Sequence, residues 1–265
     1  MVRAVVRPMA VLFAAMLAGH ADAVQLIEAP SGLAWSAEEV SRVGARSAAT
    51  VLARAEAAGE SGCRTHCDAI ARVWVRLADV FAMQQEGRPH PFALTLHVVQ
   101  STDVDAFATP DGTLVLSEAF VRRRDLDDAQ LAFILAHEAA HTLLEHERQT
   151  LTAALSLLPR NVPRTVDDVY VEFGFNIAVL RLLEPVMQQA ELEADEVGLQ
   201  LASLAGYLPD AQLRFLEVEA AGEKRTDAVV ATHPTAASRL ARLRSQLPLA
   251  ERIYEFGVSN RTLAP

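Results

Sequence analysis

The spacing of apolar residues predicts two helices, followed by three short strands, ahead of residue 118. Ser36 and Glu39 form a capping-box pattern before an Ala-rich segment, which predicts a helix that reaches about Gly59. A second run with helical spacing extends from about Asp68 to Glu86. The spacing then changes to two residues, which is typical of β structure. The predicted strands cover residues 93–99, 104–109 and 113–117.

Helical spacing dominates the rest of the chain. Acidic residues from Asp125 to Asp128 suit a helix N-terminus and predict a long helix that runs through residues 137 and 141 to about Leu157. Further helices are predicted over about 166–183, 185–205, 209–221 and 234–247. These patterns together predict an α+β protein that is mostly helical and contains a small three-stranded sheet.

The composition favours a globular protein and argues against a nucleic-acid-binding one. Of the 265 residues, 51% are hydrophobic and 22% are charged, as expected for a chain that buries a core. The formal net charge is −10, and Lys224 is the only lysine. An acidic chain without a basic stripe argues against nucleic acid as a partner. The short run Arg122–Arg124 is interpreted as a solvated helix end.

The N-terminus has the pattern of a cleavable signal peptide over residues 1–23. Arg3 and Arg7 supply positive charge, Met9–Leu17 is apolar, and Ala21–Ala23 has the small-x-small pattern of a cleavage site. An uncleaved anchor is the alternative, but about 10 apolar residues fall short of the roughly 20 that span a bilayer. We therefore expect residues 24–265 to form a single exported domain, located in the periplasm, with secretion as the alternative.

Export to an oxidising compartment affects how the two cysteines, Cys63 and Cys67, are interpreted. Cysteines this close in an oxidising compartment usually form a disulfide, which is the prediction made for this pair. A metal site that includes His66, or two free thiols, are the alternatives. The spacing differs from that of the redox motif Cys-x-x-Cys.

The sequence His137-Glu-Ala-Ala-His141 carries the strongest chemical signal in the chain. On a helix the two histidines project from one face, where their imidazoles can hold one metal ion. Glu138 lies beside that face, where its carboxylate can act as the general base toward a water activated by the metal. His146, five residues after His141, falls well off the metal-facing side, so it is interpreted as structural.

A third metal ligand is predicted in Glu191-Leu-Glu-Ala-Asp195, on a separate helix. Glu191 is the candidate ligand, and Asp195 shares its helix face at i+4. Asp195 can therefore accept a hydrogen bond from the far nitrogen of a ligand histidine and fix its orientation. Glu193 lies two residues from Glu191 and is interpreted as solvated.

The chain resembles the HtpX/BepA/Oma-type zinc metalloendopeptidases in several segments besides His-Glu-x-x-His. The likeness covers about residues 94–247. The matching segments are Glu-x-Glu-Ala-Asp-x-x-Gly at 191–198, Ala-Gly-Tyr-x-Pro at 205–209, Thr-His-Pro with a later arginine at 232–239, and Ala-Phe-Ala-Thr-Pro at 106–110, ahead of a Gly-x-Leu-x-Leu edge strand at 112–116.

This resemblance implies a zincin-like domain that binds one Zn²⁺ per chain, with His137, His141 and Glu191 as ligands. It implies endopeptidase activity toward misfolded or unassembled cell-envelope proteins, in association with the outer-membrane assembly machinery. Only 18 residues follow Leu247, so we expect a catalytic domain without the tetratricopeptide tail of the BepA branch. Asp105, Ala140 and Glu145 depart from the usual family pattern, and Ala140 and Asp105 are expected to alter how substrate is held.

The expected mechanism places an extended substrate along a strand edge near residues 113–117. His233 or Arg239 is expected to stabilise the oxyanion, and His233 is also a candidate fourth zinc ligand that keeps the enzyme inactive. The alternative function is that of a zinc-bearing periplasmic chaperone or assembly factor with little proteolysis, since binding at a strand edge precedes chemistry.

Overall fold

The computed structural model describes residues 31–88, 91–222 and 233–262. The predicted signal peptide and Thr232 lie outside these residues. Within the described part of the chain, no helix is long and apolar enough to cross a membrane. The described elements are α1 (Ala37–Ala57), α2 (Cys67–Met83), β1 (Thr95–Val99), β2 (Ala106–Ala108), β3 (Thr113–Ser117), α3 (Glu118–Arg124), α4 (Asp128–Leu143), α5 (His146–Leu157), α6 (Val166–Phe175), α7 (Ile177–Leu204), α8 (Pro209–Gly222) and α9 (Ala236–Thr262).

The predicted α+β class is confirmed, with one small mixed sheet beside a mostly helical body. β3 lies in the middle of the sheet, parallel to β1 and antiparallel to β2. The prediction that residues 113–117 form an edge strand is therefore wrong. β3 is buried almost throughout, as a strand with neighbours on both sides should be, and the shorter β2 forms the edge.

The main hydrophobic core surrounds α4. Residues on every side of this helix are buried, including Leu131, Phe133, Leu135 and Leu143. A helix that is apolar all round must be enclosed by other elements. α2, α7 and α8 supply that enclosure, and α9 packs in turn on α7 and α8. The helix that carries the histidine motif is thereby held rigidly in the centre of the protein.

The long helix predicted from Asp125 to Leu157 is broken in the structure. α4 ends at Leu143, and Glu145 adopts a left-handed conformation with a φ of 58° before α5 begins at His146. A glutamate in this region carries a steric penalty, and no glycine or proline marks the break in the sequence. An ion pair between Glu145 and Arg148, on the first turn of α5, stabilises the new direction of the chain.

Two prolines predicted to bound helices lie inside them instead. α7 continues through Pro185, and α9 continues through Pro248 to Thr262. The break falls earlier, at Asn176, whose side chain caps α7 by accepting a hydrogen bond from the N–H of Val179. Packing of α7 and α9 against the core outweighs the hydrogen bond that each proline removes.

The segment between Cys63 and Cys67 wraps around a buried carboxylate. The structure joins the two cysteines through a disulfide, with their Cα atoms 5.5 Å apart. Glu118 is fully buried and accepts hydrogen bonds from the backbone N–H groups of Arg64, Thr65 and His66. Although burial alone would raise the pKa of Glu118, these bonds and those from side chains hold it well below the ordinary value. The disulfide closes a loop whose backbone N–H groups also bind the carboxylate of Glu118.

We predict that Cys63 and Cys67 are bonded in protein recovered from an oxidising compartment, because the ordered loop holds the two thiols together. Mass spectrometry after alkylation without reduction should find the mature chain unlabelled, and reduction should add two labels. Two labels without reduction would favour the free-thiol or metal alternatives.

Candidate active site

Helix α4 presents the two histidines of the motif on one face. Their Nε2 atoms lie 3.2 Å apart, which is the juxtaposition that a separation of four residues on a helix predicts. His137 is buried, and His141 is partly exposed. Burial and the neighbouring imidazoles lower the pKa of His141 well below its ordinary value, which favours the neutral form that binds metals.

Helix α7 brings Glu191 to the same point. Its Oε2 lies 3.6 Å from Nε2 of His137, and its Oε1 lies 3.4 Å from Nε2 of His141. The two helices approach closely at Gly198, where a Cβ would lie 2.8 Å from the backbone nitrogen of His137. Glycine is therefore required at this contact, which sets how far the carboxylate reaches toward the imidazoles.

These three residues fit a zinc ion. The ligand atoms of His137, His141 and Glu191 all lie within 4.8 Å of one another. Tetrahedral coordination at ordinary Zn–N and Zn–O distances separates ligand atoms by about 3.4 Å, close to the distances found here. Two imidazole nitrogens and a carboxylate form a typical catalytic donor set, which leaves a fourth position open.

Asp195 supports His137 from behind. Its Oδ1 lies 3.0 Å from Nδ1 of His137, on the opposite side of the ring from Glu191. Arg239 of α9 donates two hydrogen bonds to the same carboxylate, of 2.7 and 2.6 Å. Asp195 is 1% exposed, so this bidentate pairing balances a buried charge. Arg239 thus pairs with Asp195 and is not among the described residues that line the cavity, so its interaction with an oxyanion stays a prediction.

A parallel support lies behind His141, and sequence reasoning missed it. Nδ1 of His146 is 3.0 Å from Nδ1 of His141, and its other nitrogen is 3.3 Å from Glu193. Gln189 donates a further hydrogen bond to Glu193. The interpretation of Glu193 as solvated is wrong, whereas His146 is structural as predicted but lies closer to the site than expected, because the break at Glu145 turns it back toward His141. Nothing in the local sequence marks that break.

Glu138 lies beside the three converging residues and lines the same cavity. Burial raises the pKa of its carboxyl to about 7, and the nearby charge of Glu191 adds to the rise. A group that titrates near the working pH is well suited to exchange protons during a reaction. The backbone N–H of Ala108 in β2 hydrogen-bonds this carboxylate and ties it to the sheet edge.

His233 lies at the mouth of the site, with its side chain 63% exposed. Its Nδ1 is 2.8 Å from Oε2 of Glu191. Although burial raises the pKa of Glu191, His233, His137 and His141 together lower it to about 2, so the carboxylate is charged. The structure therefore brings His233 to the predicted site, in contact with a candidate ligand.

A cavity of about 940 Å³ opens in front of these residues, and β2 forms one wall. Asp105 and Thr109 direct backbone groups toward β3, where each takes part in a hydrogen bond of the sheet. Backbone groups of successive residues alternate in direction, so those of Ala106 and Ala108 point toward the free edge. The cavity thus combines a metal-binding group, an acid–base side chain and an available strand edge.

Comparison with known proteins agrees with this geometry. The profile of peptidase family M48 matches residues 68–247, which includes every candidate site residue. The beta-barrel assembly-enhancing protease of Escherichia coli O157:H7 is 29% identical over 167 residues, covering 56% of this chain and 33% of that protein. The mitochondrial metalloendopeptidase OMA1 of Schizosaccharomyces pombe is 30% identical over 161 residues, covering 59% of this chain and 47% of that protein.

A further relative, the mitochondrial metalloendopeptidase OMA1 of Bos taurus, is 29% identical over 184 residues, or 60% of this chain and 34% of that protein. The chain thus spans between a third and a half of the length of these relatives. The family match covers more than half of the chain and begins at Asp68, earlier than the resemblance in the sequence suggested. The chain therefore belongs to peptidase family M48.

Proposed function

We propose that the protein is an endopeptidase that hydrolyses misfolded or unassembled proteins of the cell envelope. The observation that carries the proposal is the position of Glu138, which lies between the converging residues His137, His141 and Glu191 and the free edge of β2. An extended peptide that enters the cavity meets a strand edge and a general base together. Folded proteins rarely offer extended segments, so unfolded chains are the substrates that this arrangement favours.

The sequence suggested that the substrate pairs with β3. In this proposal it pairs with β2 instead. The outward N–H and C=O groups of Ala106 and the outward C=O group of Ala108 hydrogen-bond the peptide on one side of the scissile bond, while the N–H of Ala108 stays with Glu138. This pairing is independent of side chains, so it suits an enzyme that meets many sequences. It also brings the peptide next to the carboxylate of Glu138, because Ala108 hydrogen-bonds that side chain.

His137, His141 and Glu191 are the proposed zinc ligands, one ion per chain, and Asp195 holds His137 in the required tautomer. When bound, zinc supplies Lewis-acid chemistry, which polarises a peptide carbonyl and makes water a better nucleophile. Glu138 accepts a proton from the attacking water and passes it to the leaving amine as the C–N bond breaks. His233 is placed to cover the site before substrate arrives.

The proposed location is the periplasm, reached by means of a signal peptide at residues 1–23. Export accords with the Cys63–Cys67 disulfide, which an oxidising compartment maintains. One relative is a beta-barrel assembly-enhancing protease, which supports a peripheral association with the outer-membrane assembly machinery. Residues 24–265 form one peptidase domain in this proposal.

Replacing any proposed ligand by alanine should abolish tight zinc binding, because two donors do not hold zinc in a catalytic site. Metal analysis of purified H137A, H141A and E191A proteins after dialysis should find less than one tenth of the wild-type zinc. Asp195→Asn should weaken zinc affinity by about 10- to 100-fold, since it orients a ligand without binding the metal. Glu196→Gln is the matched control, because Glu196 lies on the same helix and pairs with Arg242 away from the site. Full zinc occupancy in E191A would exclude Glu191 as a ligand.

Glu138→Gln should retain the fold and the zinc but lose hydrolysis. An amide keeps the size of the side chain yet cannot accept a proton, so the rate should fall by at least about 10². The assay is digestion of unfolded casein by the mature chain, with a chelator-treated sample to define the metal-independent background. If the wild type binds casein without cleaving it, the chaperone alternative takes precedence; normal digestion by E138Q would overturn the role of Glu138.

His233→Ala should raise basal hydrolysis, because the imidazole contacts Glu191 at the mouth of the cavity where substrate enters. The same casein assay measures the change, and metal analysis establishes that zinc is still bound. A lower rate would instead assign His233 to stabilising the oxyanion. An unchanged rate with full zinc would exclude both roles.

A further inference from the structure

The cavity extends beyond the metal-binding residues into a region that the proposed chemistry does not use. Helices α1, α5, α6 and α7 enclose this extension, and its walls are largely apolar. The residues that form these walls include Val40, Leu151, Phe173 and Met187. An apolar recess next to a hydrolytic site is a natural receptor for one side chain of the bound peptide.

A buried acid interrupts this largely apolar surface. Glu147 lies in the first turn of α5 and lines the cavity, and its Oε1 is buried without a hydrogen-bond partner. Burial raises the pKa of this carboxyl to about 7, and the negative charge of Asp111 adds to the rise. A buried carboxyl that lacks a partner costs free energy, which a ligand carrying a hydrogen-bond donor can recover.

Among the described residues that line the cavity, no arginine or lysine is available to pair with Glu147. Arg148 is the only arginine or lysine among the described lining residues, and it is already paired with Glu145 and hydrogen-bonded to the carbonyl of Trp35. Glu38 of α1 adds a further acid to the lining. The extension therefore presents apolar walls together with two acidic side chains, Glu38 and Glu147.

We propose that this extension is a specificity pocket for a lysine or arginine side chain adjacent to the scissile bond, with Glu147 as the residue that recognises its charged end. The inference rests on the proposed endopeptidase function and names a class of preferred cleavage site. The long aliphatic stem of a basic residue packs on the apolar walls while its terminal nitrogen reaches Glu147. An acidic side chain in the same position would be repelled by Glu147 and Asp111.

The test begins with the wild-type protein and uses peptides as probes. Mass spectrometry of casein digests identifies the bonds cleaved, and one of them is copied into a fluorogenic peptide. Four versions carry arginine, lysine, norleucine or glutamate in turn at each residue flanking that bond. At one flanking position, kcat/KM should be higher for the basic peptides than for the norleucine peptide by about 10- to 100-fold, the range of a charge-assisted hydrogen bond. The glutamate peptide should be the poorest substrate.

Two variants then assign the preference to Glu147. Glu147→Gln keeps the shape but removes the charge, and Glu147→Leu makes the pocket uniformly apolar. Both should bring the ratio of basic to norleucine peptides close to one, while hydrolysis of the norleucine peptide is retained. Glu56→Gln is the control, because Glu56 is an exposed acid on α1 that does not line the cavity. It should leave the ratio unchanged.

The outcomes separate this inference from the proposed function. If the wild type cleaves no peptide and no casein in a chelator-sensitive manner, the endopeptidase proposal fails. If cleavage occurs with no preference for a basic residue, or if the preference survives in both Glu147 variants, the pocket assignment fails while the endopeptidase stands. Should either variant fail to fold, as judged by circular dichroism, the ratio measured on the wild type still decides whether a basic residue is preferred.

Discussion

The close contact between α4 and α7 holds the site together. His137 and His141 project from one helix and Glu191 from the other, so the distance between the helices sets the spacing of the ligand atoms. Gly198 permits that distance, because a side chain there would collide with the backbone of His137. Since α4 is enclosed on all sides by core residues, the contact cannot relax without disrupting the hydrophobic core.

Both candidate ligand histidines are held through their second ring nitrogens. His137 is backed by Asp195, which is itself fixed by Arg239 of α9, so a third helix contributes to the geometry of the site. His141 is backed by His146 and Glu193. Such supports orient the imidazoles and tune their basicity. The buried charge of Asp195 is tolerated because Arg239 pairs with it.

The main contribution of the sheet to the candidate site is the free edge of β2. β2 has three residues, and its free side faces the cavity next to Glu138. A short edge strand is protected against indiscriminate pairing with other proteins. The extension of the cavity that contains Glu147 is lined by residues of α1, α5, α6 and α7. In the proposed function, backbone pairing and side-chain recognition act on neighbouring residues of one bound peptide.

The features that depend on local periodicity could be predicted from the sequence. The spacing of His137 and His141 on a helix, and of Glu191 and Asp195 on another, follows from 3.6 residues per turn. Three features are evident only from the tertiary structure: β3 is the central strand, α4 ends before Glu145, and His146 and Glu193 lie behind His141. These outcomes depend on packing between segments far apart in the chain, where core burial outweighs local propensity. The buried carboxyl oxygen of Glu147 that lacks a hydrogen-bond partner could not be predicted from the sequence either, because the helices around it are distant in the chain and meet only in the fold.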